Sequence, residues 1–168
     1  MRIIVACVLF CISFGTFGTA NDPASVVDPK AELTKRVFNE LRFDNTEILN
    51  DFYHPDIEFH DPVGSINGLD SMKNYYKKMY QGVESIRFEF NSFSSNVQGR
   101  YFFSWDMYLK TPKLNSGEEF KVVGVSEILF SDNLVVYHRD YFDMGEFIYE
   151  KLPVFGRLVK LIRKRLKN

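Results

Sequence analysis

The sequence predicts an α+β fold, cone-shaped, in which N-terminal helices pack in a curved, mostly antiparallel sheet. Between residues 31 and 82 most apolar side chains recur at helical spacing, and from residue 85 onward they alternate with polar ones. Aromatic residues make up 16% of the chain, with 17 Phe and 9 Tyr, which suits a sheet wrapped around a core of rings. Helices first and an antiparallel meander second indicate an α+β fold, and the length of the chain is enough for one domain with its own core.

Residues 1–20, MRIIVACVLFCISFGTFGTA, are predicted to be an export signal. One arginine precedes an uncharged apolar run that ends in the small residues Gly18 and Ala20, so cleavage before Asn21 is expected. The run is short for a membrane span, and an uncleaved anchor is the alternative. Both cysteines lie in this segment, so the mature chain would contain neither a disulfide nor a thiol nucleophile. The protein is therefore expected in the periplasm or outside the cell.

Three helices are predicted in the first half of the mature chain. Residues 21–30, with two prolines, are expected to form a loose leader before them. The stretch TEILNDFY is predicted as a short helix with Thr46 as its N-cap, and the third helix lies between Gly68 and Gly82. The first helix, AELTKRVFNELRF, has its apolar residues on one face: Leu33, Val37, Phe38 and Leu41.

Strand-like alternation begins before the third helix and dominates after it. A short strand is predicted where Ile57 and Phe59 alternate with polar neighbours. Further strands are expected at SIRFEFNSF, RYFFSWDMYLK, EEFKVVGVSEILF and LVVYHRDYFD, separated by turns at NVQG, NSG and SDN. The cone domain is therefore expected to span residues 31–152, and residues 153–168 are expected to form a basic, amphipathic C-terminal helix.

Asp61, in the stretch EFHDPVG, is the first candidate for chemistry. It follows the predicted short strand directly, with Pro62 fixing the turn and Gly64 relaxing it. Asp-Pro-x-Gly is ordinary turn chemistry, because the aspartate side chain can accept hydrogen bonds from the backbone of the turn. A structural role in the turn and a chemical role as a base are thus the two alternatives for Asp61.

The order of elements, and above all FYHPDIEFHDPVGSINGLDSMKNYY, resembles the nuclear-transport-factor-two-like superfamily of SnoaL-like cyclases, ketosteroid isomerases and limonene epoxide hydrolases. The resemblance covers roughly residues 31–152. HDPVG is similar to the ketosteroid isomerase segment that carries the catalytic aspartate, which implies that Asp61 is a general base. The positions of the two oxyanion donors of that enzyme fall on Val37 and near Ser126. By this resemblance, the sequence has the base but lacks the two donors.

A second resemblance, to limonene epoxide hydrolase, covers VVGVSEILFSDNLVVYHRDYFDMGEFIYEKLP. In that family acids, an arginine and a polar pair hold and activate a water molecule. The acid positions fall on Asp106 and Asp140, and the polar pair falls on Phe59 and Asp61. The arginine position falls on Ser104, so the cation of that mechanism is missing.

The resemblances leave three acids, Asp61, Asp106 and Asp140, which are expected to converge in one apolar cavity. Acids that share a dry site disfavour one another's ionisation, so at least one of them is a candidate general acid. In the alternative interpretation, Asp106 and Asp140 pair with Arg100, Arg139 or a tyrosine hydroxyl, and their role is only to stabilise the sheet.

Further residues are expected to line the substrate pocket beside these acids: Phe59, Tyr76, Tyr80, Ser104, Ser126 and His138. His138 should share a strand face with Asp140, whereas His60 should face away from Asp61. The sequence contains no HxH or HxxxH pair, no glycine-rich phosphate loop and no GxSxG motif. Neither a metal site nor a cofactor is therefore predicted.

The end of the chain differs sharply in charge from the rest. Residues 21–156 carry 14 basic and 22 acidic side chains, and this acidic body argues against a nucleic-acid partner. The predicted final helix has an apolar stripe of Leu158, Leu161, Ile162 and Leu166. It is expected to lie on an anionic membrane surface, or to dock on the domain or on a second copy in a homodimer. Its last twelve residues contain no acid and six cations: Arg157, Lys160, Arg163, Lys164, Arg165 and Lys167.

Two functional hypotheses follow from the sequence. In the first, an exported SnoaL-like protein binds a small apolar molecule in a cavity and performs isomerase-like or hydrolase-like acid–base chemistry with Asp61. In the second, the protein is not catalytic, and it either carries a lipid-like ligand or serves as a dimerisation module at the membrane surface. The orientation of the three acids distinguishes the two hypotheses.

Overall fold

A computed structural model describes residues 27–166, apart from the side chains of residues 153, 154 and 160. The predicted signal segment and most of the predicted leader lie outside these residues. The α+β architecture is confirmed, because a curved sheet of six strands packs one face against two helices. The strands are β1 (Tyr53–Asp61), β2 (Gly64–Asn67), β3 (Ser85–Ser95), β4 (Arg100–Lys110), β5 (Phe120–Ser131) and β6 (Leu134–Phe142).

Four α-helices lie within the described residues: α1 (Pro29–Glu40), α2 (Leu69–Met79), α3 (Met144–Phe147) and α4 (Pro153–Leu166). Short 3-10 helices occupy Thr46–Asp51, Asn115–Gly117 and Tyr149–Lys151. None of the helices in residues 27–166 is long and apolar enough to cross a membrane.

Helix α1 begins two residues earlier than the boundary predicted between leader and domain. Asp28 caps the helix, since its Oδ1 accepts hydrogen bonds from the backbone N–H of Lys30 at 2.9 Å and of Ala31 at 3.1 Å. Pro29 fits the first helical position because it lacks an N–H that would need a partner there. The predicted capping role of Thr46 is wrong: Asn45 precedes that 3-10 helix, and no side chain caps it.

The sheet has the strand order β2-β1-β6-β5-β4-β3, and every neighbouring pair is antiparallel except β1 and β6. The parallel pairing aligns Phe59 with His138 and His60 with Arg139. Asp61 and Asp140 lie one residue beyond this register, at the same end of two adjacent strands. The β1–β6 pairing is therefore the feature of the fold that brings the two acids together.

Alternation along the strands separates a core face from an outer face. On β4 the buried positions are the odd ones, including Trp105 and Met107, while Ser104 and Asp106 lie on the outer face. On β5 the even positions are buried, and Ser126 is fully buried among them. On this core face, α1 and α2 cover the sheet and leave a cavity between helices and strands.

Candidate functional site

The cavity has a volume of about 130 Å³, and its walls come mainly from α1, α2 and the core face of the sheet, with further side chains from α3 and from loops. Most of its lining consists of aliphatic and aromatic side chains, among them Val37, Phe59 and Trp105. Asp61 and Asp140 are the two acids in the lining. The remaining polar side chains of the lining are Tyr53, Tyr76, Tyr80, Gln81, Thr111 and Lys113.

Asp61 both closes the β1–β2 hairpin and lines the cavity. Its Oδ1 accepts hydrogen bonds from the backbone N–H of Val63 at 2.7 Å and of Gly64 at 2.9 Å, which is the turn chemistry of an Asx turn. Its Oδ2 accepts a hydrogen bond from the Tyr75 hydroxyl. Because both carboxylate oxygens already accept hydrogen bonds from the protein, Asp61 is constrained in position and less available as a base.

Asp140 is held differently, through one oxygen. Its Oδ1 accepts hydrogen bonds from the Ser126 hydroxyl at 2.5 Å and from Nε2 of His138 at 2.9 Å. Among the described residues, no donor is bonded to Oδ2 of Asp140. The carboxylate is thus oriented by two buried donors while its second oxygen is left for a group in the cavity.

The hydrogen-bond chain continues behind Asp140. The Tyr53 hydroxyl lies 2.6 Å from Nδ1 of His138, and Trp105 donates from Nε1 to the Ser126 oxygen at 2.8 Å. When Nε2 of His138 carries the proton and donates to Asp140, Nδ1 accepts from Tyr53, and every bond in the chain has one donor and one acceptor. His138 is fully buried, and the Phe59 ring lies edge-on to it at 5.0 Å.

Gly124 leaves space for Trp105, the residue at one end of this chain of hydrogen bonds. It is paired with Trp105 across β4 and β5, and a Cβ added to Gly124 would lie 2.1 Å from Cη2 of the indole. The indole ring therefore lies directly over Gly124 and reaches the next core-facing residue of β5, Ser126. A glycine at this position is required by close approach rather than by backbone conformation.

The tyrosines around the cavity are neutral phenols. Burial is the main cause that raises the pKa of Tyr53, Tyr76 and Tyr80, and the negative charge of Asp140 raises all three further. The pKa of Tyr75 is also raised, first by burial and then by its hydrogen bond to Asp61. At neutral pH these hydroxyls keep their protons. Tyr53 and Tyr75 donate theirs to His138 and Asp61, so Tyr76 and Tyr80 are the phenols that can donate to a bound molecule.

The expected convergence of three acids is wrong for Asp106. Its Oδ2 pairs with Nζ of Lys121 at 3.0 Å, and Asn91 donates to its Oδ1 at 3.3 Å on the outer face of the sheet. The hydrogen bond from Lys121 lowers the pKa of Asp106, the opposite of what a general acid needs. Ser104 lies on the same outer face, so its predicted place in the pocket is wrong for the same reason of strand alternation.

The other predicted pocket residues occupy two layers. Phe59, Tyr76 and Tyr80 line the cavity, whereas Ser126 and His138 lie behind Asp140 and hold it. As expected, His138 shares a face with Asp140. His60 points to the other side of β1, where it contacts Glu58 at 2.7 Å and Ser65 at 2.7 Å. Within residues 27–166, no group of three or more His, Cys, Asp or Glu side chains is arranged to hold a metal ion.

Two members of the site were not predicted from the sequence, Tyr53 and Trp105. Tyr53 lies in β1 four residues before the predicted strand, beyond an irregularity in the β1–β6 pairing that breaks simple alternation. Trp105 neighbours Asp106 in the sequence and faces the opposite side of the sheet. The alternation Tyr101, Phe103, Trp105, Met107 and Leu109 was the available signal for its inward orientation.

Comparison with known proteins agrees with this fold. The profile of a family described as the SnoaL-like domain matches residues 34–138. None of the curated proteins matches the chain.

Solved structures with little sequence similarity share the architecture. A hypothetical protein with a ketosteroid isomerase-like fold from Catenulispora acidiphila, in complex with trimethylamine, superposes with a TM-score of 0.63 at 9% identity over 73% of this chain and 91% of its own. TerC co-crystallised with polyporic acid superposes with a TM-score of 0.61 at 17% identity, over 71% of this chain and 95% of its own. An NTF2-like protein of unknown function from Burkholderia pseudomallei superposes with a TM-score of 0.60 at 14% identity, over 70% of this chain and 91% of its own. At these identities the similarity concerns the fold.

Proposed function

The chain belongs to the SnoaL-like domain family, and on that basis we propose that it binds a small apolar molecule in the cavity and that Asp140 exchanges a proton with it. The observation that carries the proposal is the arrangement of Asp140 at the cavity wall. Ser126 and His138 fix one of its oxygens, and the second oxygen has no donor among the described residues. Two complexes of the same fold, with trimethylamine and with polyporic acid, support a small-molecule ligand.

The size of the cavity limits the ligand. A dry engineered cavity of about 150 Å³ holds one benzene molecule, and the volume here is about 130 Å³. Pockets for drug-sized ligands are larger, at roughly 300–1,000 Å³. A monocyclic molecule fits this space without rearrangement, whereas a steroid or a fused polycycle requires the walls to move. We therefore propose a monocyclic or short-chain ligand, apolar except for one oxygen function.

The reaction class that suits these groups is removal of a proton from a carbon next to a carbonyl. The C–H bond breaks, the proton passes to Oδ2 of Asp140, and the electron pair forms the C=C bond of an enolate. The developing negative charge moves to the carbonyl oxygen, where the neutral hydroxyl of Tyr76 or Tyr80 donates a hydrogen bond. Return of the proton to another carbon gives an isomer, and return to the same carbon gives isotope exchange. A positioned base typically contributes about 10²–10⁴-fold.

The proposal is tested by isotope exchange, which requires no knowledge of the natural substrate. Cyclohexanone in D₂O is incubated with the protein, and loss of its α-proton signals is followed by NMR. We expect the protein to accelerate exchange and Asp140→Asn to lower the rate by about 10²-fold or more. Asp106→Asn is the matched control, since it makes the same chemical change on the outer face of the sheet. It should exchange at the rate of the unaltered protein.

Equal rates for Asp140→Asn and the unaltered protein would remove Asp140 as the base. Asp61→Asn identifies the base in that case, because Asp61 is the second acid of the cavity lining.

The second candidate function is a carrier without catalysis, and the apolar lining favours it. In this alternative the Tyr53–His138–Asp140 chain only satisfies buried polar groups that would otherwise be costly. Cyclohexanone would then bind, as seen from chemical-shift changes at residues of the cavity, without any acceleration of exchange.

A further inference from the structure

Helix α4 leaves one apolar face uncovered in the described structure. At about 100° per residue its large apolar side chains fall within an arc of roughly 140°. We call this set the apolar stripe, and each of its members is between 50% and 81% exposed: Phe155, Leu158, Leu161, Ile162 and Leu166. Contiguous exposed apolar surface of this kind marks a site of interaction.

The helix is attached to the domain through another side. Arg163 donates from Nη2 to Oδ2 of Asp143 at 2.7 Å, and its Nη1 lies 2.7 Å from Oε1 of Glu150 in a salt bridge. Gly156 is buried against the 3-10 turn, where an added Cβ would lie 2.4 Å from the carbonyl oxygen of Glu150. These contacts fix the orientation of α4 relative to Tyr149–Lys151 and keep the apolar stripe out of the core.

The cations of α4 indicate what covers the stripe. Arg163 is engaged by the domain, while Arg157, Lys164 and Arg165 are exposed and form no salt bridge within the described residues. The same helix also contains Lys160, and Lys167 follows it in the sequence. At 100° per residue Arg157 and Lys164 flank the stripe, whereas Arg165, in the last turn, falls within its arc and can extend its long side chain to lipid phosphates. An apolar face accompanied by cations is the pattern of a helix that lies in the plane of a membrane interface.

We propose that α4 docks on an anionic lipid surface, with the apolar stripe at the headgroup–acyl boundary and the flanking cations at lipid phosphates. A symmetric contact with a second copy would place the two sets of cations close together, which is unfavourable. The acidic charge of residues 21–156 opposes approach of the domain to an anionic bilayer, so α4 is the part of the chain whose charge suits that surface. Each cation near such a surface strengthens binding roughly fivefold.

A tryptophan placed in the stripe tests docking locally. Full-length Leu158→Trp protein is mixed with phosphatidylglycerol–phosphatidylcholine vesicles that carry brominated acyl chains, which quench only nearby indoles. We expect the new indole to be quenched, and quenching to fall steeply as salt is raised. Val123→Trp, on the exposed outer face of the sheet, is the matched control and should not be quenched. Both variants contain residues 1–20, so a difference in quenching between positions 158 and 123 reports on α4 itself.

Charge variants then test the cations. Arg157→Gln with Lys164→Gln, added to Leu158→Trp, should lower the affinity for the vesicles by about tenfold or more. Lys77→Gln with Lys78→Gln removes two exposed cations from α2 instead and should leave the affinity unchanged.

Three results would overturn the proposal: no quenching of the indole at position 158, equal quenching by vesicles of phosphatidylcholine alone, or equal quenching at position 123. Sedimentation equilibrium without lipid adds a fourth. If the unaltered protein is a dimer and Ile162→Glu makes it a monomer, a second copy covers the stripe and the membrane is the wrong partner.

Discussion

At the scale of single residues, two aspartates at the ends of neighbouring strands differ in how they are held. Asp61 has both oxygens engaged by the turn and by Tyr75, whereas Asp140 has one oxygen held by Ser126 and His138. A short motif, HDPVG, is what makes Asp61 a candidate from the sequence alone. Of the two alternatives that the motif left open, the geometry supports the role in the turn, and Asp61 also lines the cavity.

Substitution of Asp61 separates its two roles. Asp61→Asn keeps an oxygen for the backbone N–H groups of Val63 and Gly64, and its amide can donate to the Tyr75 oxygen. We therefore expect a loss of about 1 kcal/mol or less in the free energy of unfolding. Asp61→Ala removes all three hydrogen bonds and should cost about 1–3 kcal/mol. Urea unfolding followed by circular dichroism measures both values, and equal stability of the two variants would contradict the structural role of Asp61.

Two of the side-chain orientations predicted from the sequence are wrong, those of Asp106 and Ser104. The resemblance to limonene epoxide hydrolase groups Asp106 with Asp61 and Asp140, whereas the alternation of β4 places its odd residues inside and Asp106 outside. A shift of one position moves a side chain to the other face of a sheet. Local alternation was thus the better guide for Asp106 and Ser104, and it also gave the correct common face for His138 and Asp140.

At the scale of elements, the site is formed by cross-strand neighbours on three adjacent strands, β4, β5 and β6. Trp105 of β4 lies over Gly124 of β5 and bonds to Ser126, which in turn lies opposite Asp140 of β6. The period-two pattern predicted these strands. The parallel pairing of β1 with β6 could not be predicted, because alternation within a strand carries no information about which strand lies beside it.

Gly124→Ala tests this lateral arrangement. The added methyl group would overlap the Trp105 indole, so the ring must move and lose its hydrogen bond to Ser126. Overpacking of this kind costs about 1–3 kcal/mol. Gly64→Ala is the matched control, since no atom lies within 4 Å of the Cβ it would add. Thermal unfolding and tryptophan fluorescence of the two variants should differ, and a native-like Gly124→Ala protein would show that the indole position is not constrained by this glycine.

At the scale of the whole molecule, an acidic cone domain with an internal cavity carries a basic helix with an exposed apolar stripe. We propose that the chain is exported and cleaved before Asn21, because residues 1–20 combine an apolar run with small residues at its end. Sequencing the N-terminus of protein recovered from the periplasm or medium checks this, and an intact Met1 on cytoplasmic protein would contradict it. Export, a cavity for a small ligand and a lipid-facing helix are consistent with a protein that meets its ligand near a membrane surface.

A crystal structure of the protein soaked with cyclohexanone would show directly whether the cavity binds a small ligand beside Asp140. We expect the ring inside the cavity, with its carbonyl oxygen within hydrogen-bond distance of the Tyr76 or Tyr80 hydroxyl. An α-carbon should lie about 3–3.5 Å from Oδ2 of Asp140. A cavity without ligand at saturating concentration, or a ring bound with its oxygen turned away from the tyrosines and Asp140, would contradict the proposed function.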